Sequence, residues 1–441
     1  MKRFWLVLLS LGLVMAFSAS AFAVDVKFSG QMYVAGMHFN RTTLDDVGDG
    51  TTTSFYAQRL RMFTDFVVAP GVTLKTRYDI MERVWGATRT APGTTLGTLS
   101  MGTQAENENI AFDRAYIQYD SPYGSFQVGA RSAGTWGTTF GDSEGPAWRI
   151  FYSSPAFAGG FGILAVIQKA TENSYNAYNL TATQADKDYD VYIAALTYTA
   201  KSWNTGLLYV YYLNATTRTN TATDYKRKYH LLQPYVKANI GPVALQAEIG
   251  YVFGKYAEYD NAGNTDIKAD SLAGMIDALA TFGPVYVGAT FAYAQGDKDA
   301  TDDKQQNILT GGADWSPTLI MYNQDRATWF GNVTSSYATA PFGSAMTNAY
   351  FYQVRAGVKP VEKLDVMASV SFAQADVTPT NYVSKDYGYE IDVTGTYKIT
   401  NNLSYMLGFG YLIAGDYFKG TSSANKIKND YLVINKLCLT F

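Results

Sequence analysis

The chain has 441 residues, 35 Lys+Arg against 38 Asp+Glu, two histidines, one cysteine, 35 tyrosines and 24 phenylalanines. The slightly acidic balance argues against nucleic acid as a partner, and Cys438 alone cannot form an internal disulfide. The length fits either two or three soluble domains or one large β-architecture.

The chain opens with basic MKR, the apolar run FWLVLLSLGLVMAF and the small-residue stretch SASAFA, with Ala21 and Ala23 in an A-x-A arrangement. This predicts a secretory signal peptide, residues 1–23, cleaved before Val24. The apolar run is short for a membrane span, and no cysteine near the cut offers a lipid anchor. Loss of Lys2 and Arg3 shifts the net charge from −3 to −5.

From Val24 onward no apolar stretch is long enough for a transmembrane helix. The dominant period is two. In QRLRMFTDFVVA, Leu60, Met62, Phe66 and Val68 share one side, and Arg59, Arg61 and Asp65 the other. After the Ala69-Pro70-Gly71 turn, Leu74, Tyr78 and Ile80 oppose Lys75, Arg77, Asp79 and Arg83. Successive strand side chains point to opposite faces, so each segment has an apolar face and a charged face.

The pattern repeats along the chain. DRAYIQYD turns through SPYG into SFQVGAR, WRIFYSS through PAFAGG into FGILAVIQK, and HLLQPYVKANI through GP into VALQAEIGYVFG. DALATF, YFYQVRAGVK and YEIDVTGTYKIT are followed by similar short turns and partner segments. Longer polar loops alternate with them, at 88–107, 171–187 and 215–224.

Short turns on one rim and long loops on the other predict an all-β fold, an antiparallel up-and-down β-barrel crossing an outer membrane. In lipid every backbone polar group must be paired internally, which a closed barrel achieves, and closure also removes sheet edges. A β-helix would show a fixed repeat, and none is present. The pattern predicts about 18 strands in a single domain, residues 24–441. The count rises to 20 if part of 296–346 enters the wall, and falls to 16 if the WRIFYSS hairpin is not one. Segment 296–346 alternates poorly and is expected to be a long external loop.

The apolar faces are expected to meet lipid. A charged side chain facing lipid at mid-depth costs about 2–4 kcal/mol, so Arg59, Arg61, Lys75, Arg77, Arg83, Arg114, Arg131 and Arg149 should line the lumen as a basic strip. Asp65, Asp79 and Asp113 are their candidate partners. The chain ends in YLVINKLCLTF, where Tyr431, Val433, Leu437, Leu439 and Phe441 share a face that only Asn435 interrupts. A terminal Phe fits the membrane interface.

Catalytic signals are absent from the motifs. His38 and His230 are far apart in sequence, and neither a His-Glu-x-x-His helix nor a Gly-x-Ser-x-Gly elbow occurs. No Cys-x-x-Cys-His haem site occurs. The expectation is a protein that is not an enzyme, with no cofactor and no metal.

DRAYIQYDSPYGSFQVGARS and WRIFYSSPAFAGGFG, within 113–169, resemble consecutive strand–turn–strand units of general bacterial porins, with Gly129-Ala130-Arg131 in place of a shorter Gly-Arg ending. The resemblance implies that the following loop, 132–148, folds into the lumen as a constriction and that Asp142 and Glu144 face the basic wall. The larger strand number resembles eighteen-stranded outer-membrane channels, including alginate-export-like channels and the major channels of metal-respiring bacteria. The last strand resembles the C-terminal signal read by the barrel-assembly machinery, which makes Leu437, Leu439 and Phe441 candidate assembly residues.

Together these imply a bacterial outer-membrane channel for passive diffusion of small hydrophilic solutes or ions. The alternatives are a substrate-specific channel or exporter for anionic solutes or polymers, and a barrel sheath around a redox partner. Outer-membrane lipid and small solutes are the expected partners, and the resemblance also allows a homotrimer.

Overall fold

The computed structural model describes residues 24–41, 43–46, 52–86, 110–173, 187–219, 221–342 and 345–441. The expected signal peptide lies outside these residues, as do most of the loops 88–107 and 171–187.

Eighteen antiparallel strands close into one barrel. They are β1 (Asp25–Phe39), β2 (Thr53–Ala69), β3 (Val72–Val84), β4 (Ile110–Ser121), β5 (Gly124–Ala133), β6 (Gly145–Ser153), β7 (Phe161–Thr171), β8 (Tyr189–Thr199), β9 (Trp203–Asn214), β10 (Tyr225–Ile240), β11 (Val243–Tyr259), β12 (Ile267–Phe282) and β13 (Val285–Ala294), then β17 (Ala349–Val361), β18 (Leu364–Ala375), β19 (Asp386–Lys398), β20 (Leu403–Ala414) and β21 (Asp430–Thr440). Between β13 and β17 runs the insertion 295–348, which holds the short strands β14 (Lys304–Gln305), β15 (Val333–Thr334) and β16 (Thr339–Phe342) and the helix α1 (Gln324–Phe330). Each strand pairs with its sequence neighbours, and β21 closes on β1 with Leu437 opposite Val34 and Leu439 opposite Met32.

The short turns gather on one rim. Pro70-Gly71, Gly241-Pro242 and Gly283-Pro284 each join two strands directly. Gly71 has φ +76°, and a Cβ there would lie 2.5 Å from the Asp120 carbonyl oxygen, so the turn requires glycine. All the long connections leave from the other rim.

The two faces separate as the alternation predicts. Leu407 and Phe409 of β20 face outward, while the alternating Gly408 and Gly410 face in, close to Leu319 of the insertion. Near the short-turn rim Tyr119, Phe126, Tyr152, Trp203, Tyr397 and Phe441 lie on the outer surface, with Phe126 packed on Tyr152 at 4.8 Å between centroids. This is the aromatic girdle of a barrel seated in an interface.

The lumen is not symmetric. One half of its inner wall carries small apolar side chains, including Ala273, Ala292, Ala294, Ala349, Ala373 and Ala375, all buried. Against them pack Trp315, Ile320, Met321 and Tyr322 from the insertion, forming a core inside the barrel. Segment 296–346, expected as an external loop, does start and end at the long-loop rim, but its middle folds inward.

Candidate functional site

The basic strip is built by register. Opposed residues of adjacent strands share a face, so Arg61 of β2 lies beside Asp79 of β3, with Nε–Oδ1 and Nη2–Oδ2 both 2.7 Å. Two steps toward the short-turn rim, past Phe63 and Arg77, Lys75 pairs with Asp65 at 2.8 Å. One step the other way, Arg59 reaches Glu82 at 3.4 Å and lies over the Tyr33 ring at 5.1 Å.

Two bulges alter what strict alternation predicts. In β4, Arg114 opposes Arg77 and Phe112 opposes Tyr78, so Asp113 is an extra residue. Both Asp113 and Arg114 consequently serve the lumen. The Arg77 Nε donates to Asp113 Oδ2 at 2.6 Å, and the pair is buried. In β3 the register shifts at Met81, whose φ is +51°. Beyond that bulge Glu82 takes the lumen face, and Arg83 pairs with Gln58 on the outer face that carries exposed Tyr56 and Trp85. Arg83 is therefore not part of the lumen strip. Counting every second residue fails once the strand gains one.

The connection after β5 comprises 134–144, since Ser132 and Ala133 belong to β5 and Gly145–Trp148 to β6. It turns into the lumen and splits its two acids. Glu144 lies on the basic wall: it pairs with Arg114, accepts from Ser132 Oγ at 3.0 Å, and lies 3.5 Å from Arg77 Nη1. Burial pushes its pKa up, but Arg114 and Arg77 outweigh that and hold it below the usual carboxylate range.

Asp142 faces the other way. Its Oδ1 accepts the Trp136 N–H at 2.8 Å, and its backbone oxygen accepts from Asp314 N at 3.0 Å. The loop is anchored on β10 and β11, where Trp136 Nε1 donates to the Gln233 carbonyl at 2.8 Å and Thr138 N donates to Glu248 Oε2 at 2.6 Å. Gly312 of the insertion, at φ +73°, sits so tightly on the Asp142 backbone that no Cβ would fit. Burial raises the Asp142 pKa to about 8, with Glu248 and Asp314 adding to the rise and the Trp136 N–H opposing it. At neutral pH this carboxyl is mostly uncharged, so the expected pair of acids facing the wall reduces to Glu144.

The insertion is pinned by a residue that alternation alone did not single out. Glu390 of β19 points inward and is fully buried; it accepts the backbone N–H groups of Leu319, Ile320 and Met321 at 3.1, 2.6 and 2.7 Å. Nearby, α1 is capped by Asn323, whose Oδ1 accepts from Arg326 N at 2.9 Å. Arg326 is buried beside the stacked Phe39 and Phe330 rings, 5.2 and 5.0 Å from their centroids, and donates to the Gly331 carbonyl at 2.5 Å. A signal for this seat exists in the sequence: YEIDVTG places acids, and the late strands place alanines, on a face that water alone would not cover.

Arg131 and Arg149 also reach the lumen. Arg131 stacks on Phe151 at 4.0 Å; Arg149 donates to Gln168 Oε1 at 2.7 Å and to the Ser132 carbonyl at 3.3 Å. Leu437, Leu439 and Phe441 lie on the outer surface of the closing strand, each more than a third exposed. His38 and His230 both sit on the outer face, bonded to Ser54 and Tyr209.

A family model described as Gram-negative porin matches residues 10–317. No curated protein matches the chain in sequence. Among solved structures the chain is similar to OccK8 (OprE) of Pseudomonas aeruginosa, at 13% identity and a TM-score of 0.51, over 95% of this chain and 98% of that one. It is also similar to OccK11 (OpdR) of the same organism, at 12% identity and a TM-score of 0.51, over 95% and 96%. At such identity the likeness concerns the fold alone.

Proposed function

The chain belongs to the Gram-negative porin family and is an outer-membrane channel for small hydrophilic solutes; from that premise we propose that solutes pass through the gap between the arginine-bearing wall of β2–β6 and the loops folded into the lumen. The observation that carries this reading is the asymmetry of the lumen. One half is dry and packed around Ile320 and Met321, while the other exposes paired charges to water. Diffusion through such a gap needs no cofactor and no catalytic step. Selectivity comes from its width and from the lumen field.

A recess of about 380 Å³ lies against this wall, lined by Ser29, Gly30 and Phe441 together with Gln31, Arg61, Phe63, Arg77, Arg114 and Glu144. Solutes there meet guanidinium groups whose charge is largely balanced by carboxylates, a setting that favours small polar molecules over strongly charged ones. The sheath reading is disfavoured because segment 315–330 occupies space a folded partner would need.

Purified protein in planar bilayers tests the proposal. Stepwise, ohmic conductance that scales with bulk salt is the expected result. Absence of conductance steps from correctly folded barrels would refute it.

A further inference from the structure

Most cations of the inner wall are matched. Arg59, Arg61, Lys75, Arg77, Arg114 and Arg355 each have a carboxylate oxygen within 4 Å. Among the described residues, Arg131 has no carboxylate that close but is covered by the Phe151 ring, whereas Lys237 of β10 has neither a carboxylate nor a ring. Lys237 enters the lumen from the row next to the one on which loop 134–144 docks.

Register defines both rows. Gly206 of β9 opposes Tyr235 of β10, which opposes Glu248 of β11. The loop docks on this row: the Trp136 ring packs on Tyr235 at 5.1 Å between centroids and leaves no space for a Cβ at Gly206, and Glu248 accepts the Thr138 N–H. Two residues along each strand toward the short-turn rim, Asn204 opposes Lys237, Lys237 opposes Gln246, and Gln246 opposes Asp277 of β12. Parity puts these four side chains on the same lumen face. At this second row, reaching to the short turn 200–202, lies a cavity of about 420 Å³, lined also by Lys201, Ser202, Asn239 and Leu279.

The cavity offers donors without acceptors to match them. Among the described residues, no ion pair or side-chain hydrogen bond engages Lys201, Lys237, Asn204 or Asn239. Asp277 is the carboxylate in the lining, and its charge is balanced within the wall: Arg355 Nη1 lies 2.7 Å from its Oδ1, to which Thr290 Oγ1 donates at 2.6 Å. Glu248 and Asp142 lie within electrostatic range of Lys237. Glu248 is taken up by the Thr138 N–H and the Gln233 amide, and Asp142 by the Trp136 N–H. A carboxylate is matched best by an arginine fork, whereas lysine binds phosphate as a point charge. A phosphate monoester presents three acceptor oxygens and about −1.5 to −2 charge at neutral pH, so it can use several donors at once. Two lysines and the Asn204 and Asn239 amides supply them, and the volume also admits a body the size of a monosaccharide. We propose that this cavity, on the short-turn side of loop 134–144, is a binding site for small solutes that carry a phosphate group. This deepens the channel reading above and rests on it for the route, though not for the binding.

Glucose 6-phosphate, gluconate and glucose are suitable probes for calorimetric titration of the detergent-solubilised barrel. Glucose 6-phosphate should bind about tenfold more tightly than either of the others, because it alone brings a phosphate to the lysines. Lys237→Gln should weaken its binding about tenfold and Lys201→Gln about threefold. Lys298→Gln, at an exposed position near the other rim, should leave it unchanged. Lys201 is in a turn outside the strands, so its variant keeps the test open should Lys237→Gln fail to fold. Equal affinity for gluconate or for glucose would overturn the phosphate part. Absence of binding by the wild type, or unaltered affinity in the folded lysine variants of the cavity, would overturn the site. KCl conductance in planar bilayers is read separately: its absence refutes the channel reading, and the titration still decides the site.

Discussion

Glu390 holds Ile320 in the lumen, its Oε1 accepting the Ile320 N–H at 2.6 Å. The same carboxylate takes the N–H groups on either side, at 3.1 Å from Leu319 and 2.7 Å from Met321. A single wall residue thus satisfies three consecutive backbone donors of an inserted segment. Glu390→Ala would leave them buried without acceptors, at a cost of about 3 kcal/mol or more to the seated insertion. The wall itself, paired strand to strand, should still close. The expected outcome is a folded barrel with larger and noisier single-channel conductance, and with Glu390→Gln intermediate. Wild-type conductance in a folded Glu390→Ala barrel would show that the segment is held by packing alone.

Burial sets how much each wall pair matters. Arg77 and Asp113 are both nearly inaccessible, with side-chain exposures of 4% and 2%, whereas Lys75 and Asp65 are at 28% and 32%. Arg77→Gln leaves a buried carboxylate without its partner and should cost about 3–5 kcal/mol. Lys75→Gln should cost no more than about 1 kcal/mol, because water solvates what remains. Urea midpoints of the detergent-solubilised barrel compare the two. Equal shifts would mean that water reaches the Arg77 site.

Selectivity should follow the free charges and not the full list of arginines. Glu144→Gln removes the acid bound by Arg114, Ser132 and Arg77. Reversal potentials should then move toward anions. Arg131→Gln should move them toward cations, and by more than Lys75→Gln, whose partner Asp65 is 2.8 Å away. Salt screens charges over about 10 Å at 0.1 M, so the shifts should be largest below that concentration. Insensitivity of the reversal potential to Glu144→Gln at low salt would remove the wall from any role in selectivity.

How much of this was legible depends on the local rule involved. Period two placed Arg61 and Asp79 in the lumen and Leu437 and Leu439 outside, because lipid on one face leaves no other choice. It misplaced Arg83, because the extra residue at Met81 reverses parity without leaving a compositional mark. It could not separate Asp142 from Glu144, which are two residues apart in a loop; only the docking of Trp136 on Gln233 and of Gly312 on Asp142 turns one of them away from the wall. The buried middle of 296–346 was hidden for a different reason. Its apolar residues lack a period, since the segment is irregular and takes its shape from the alanine-lined wall.

Closure of the barrel offers another test. Phe441 N donates to the Gly30 carbonyl at 3.0 Å and Gly30 N donates to the Phe441 carbonyl at 2.8 Å, while the Phe441 ring lies on the outer surface in the aromatic girdle. Phe441→Ala keeps the backbone bonds and removes the interfacial ring. Folded yield, read from heat-modifiable gel mobility, should fall well below that of Thr301→Ala, a change in an exposed turn of the insertion. Indistinguishable yields would argue that the ring plays no part in assembly.

The last expectation concerns pH and Asp142. Burial lifts its pKa to about 8, with Glu248 and Asp314 reinforcing the rise and Trp136 N and Lys237 opposing it. An unfolded aspartate titrates near pH 3.9. Because the folded value is the higher one, the neutral carboxyl favours the docked loop fully below about pH 4, and that contribution declines as pH rises toward and through 8. Above 8 a carboxylate stands beside Asp314, whose amide already holds the Asp142 backbone oxygen at 3.0 Å. The contact between loop 134–144 and the insertion should loosen there, and the added negative charge should draw cations. Reversal potentials recorded from pH 6 to pH 10 should thus show a step toward cation preference centred near 8. Asp142→Asn keeps the oxygen that accepts the Trp136 N–H but cannot ionise, so its profile should lack the step. The same step in both proteins would assign the titration to another group and leave Asp142 without a part in it.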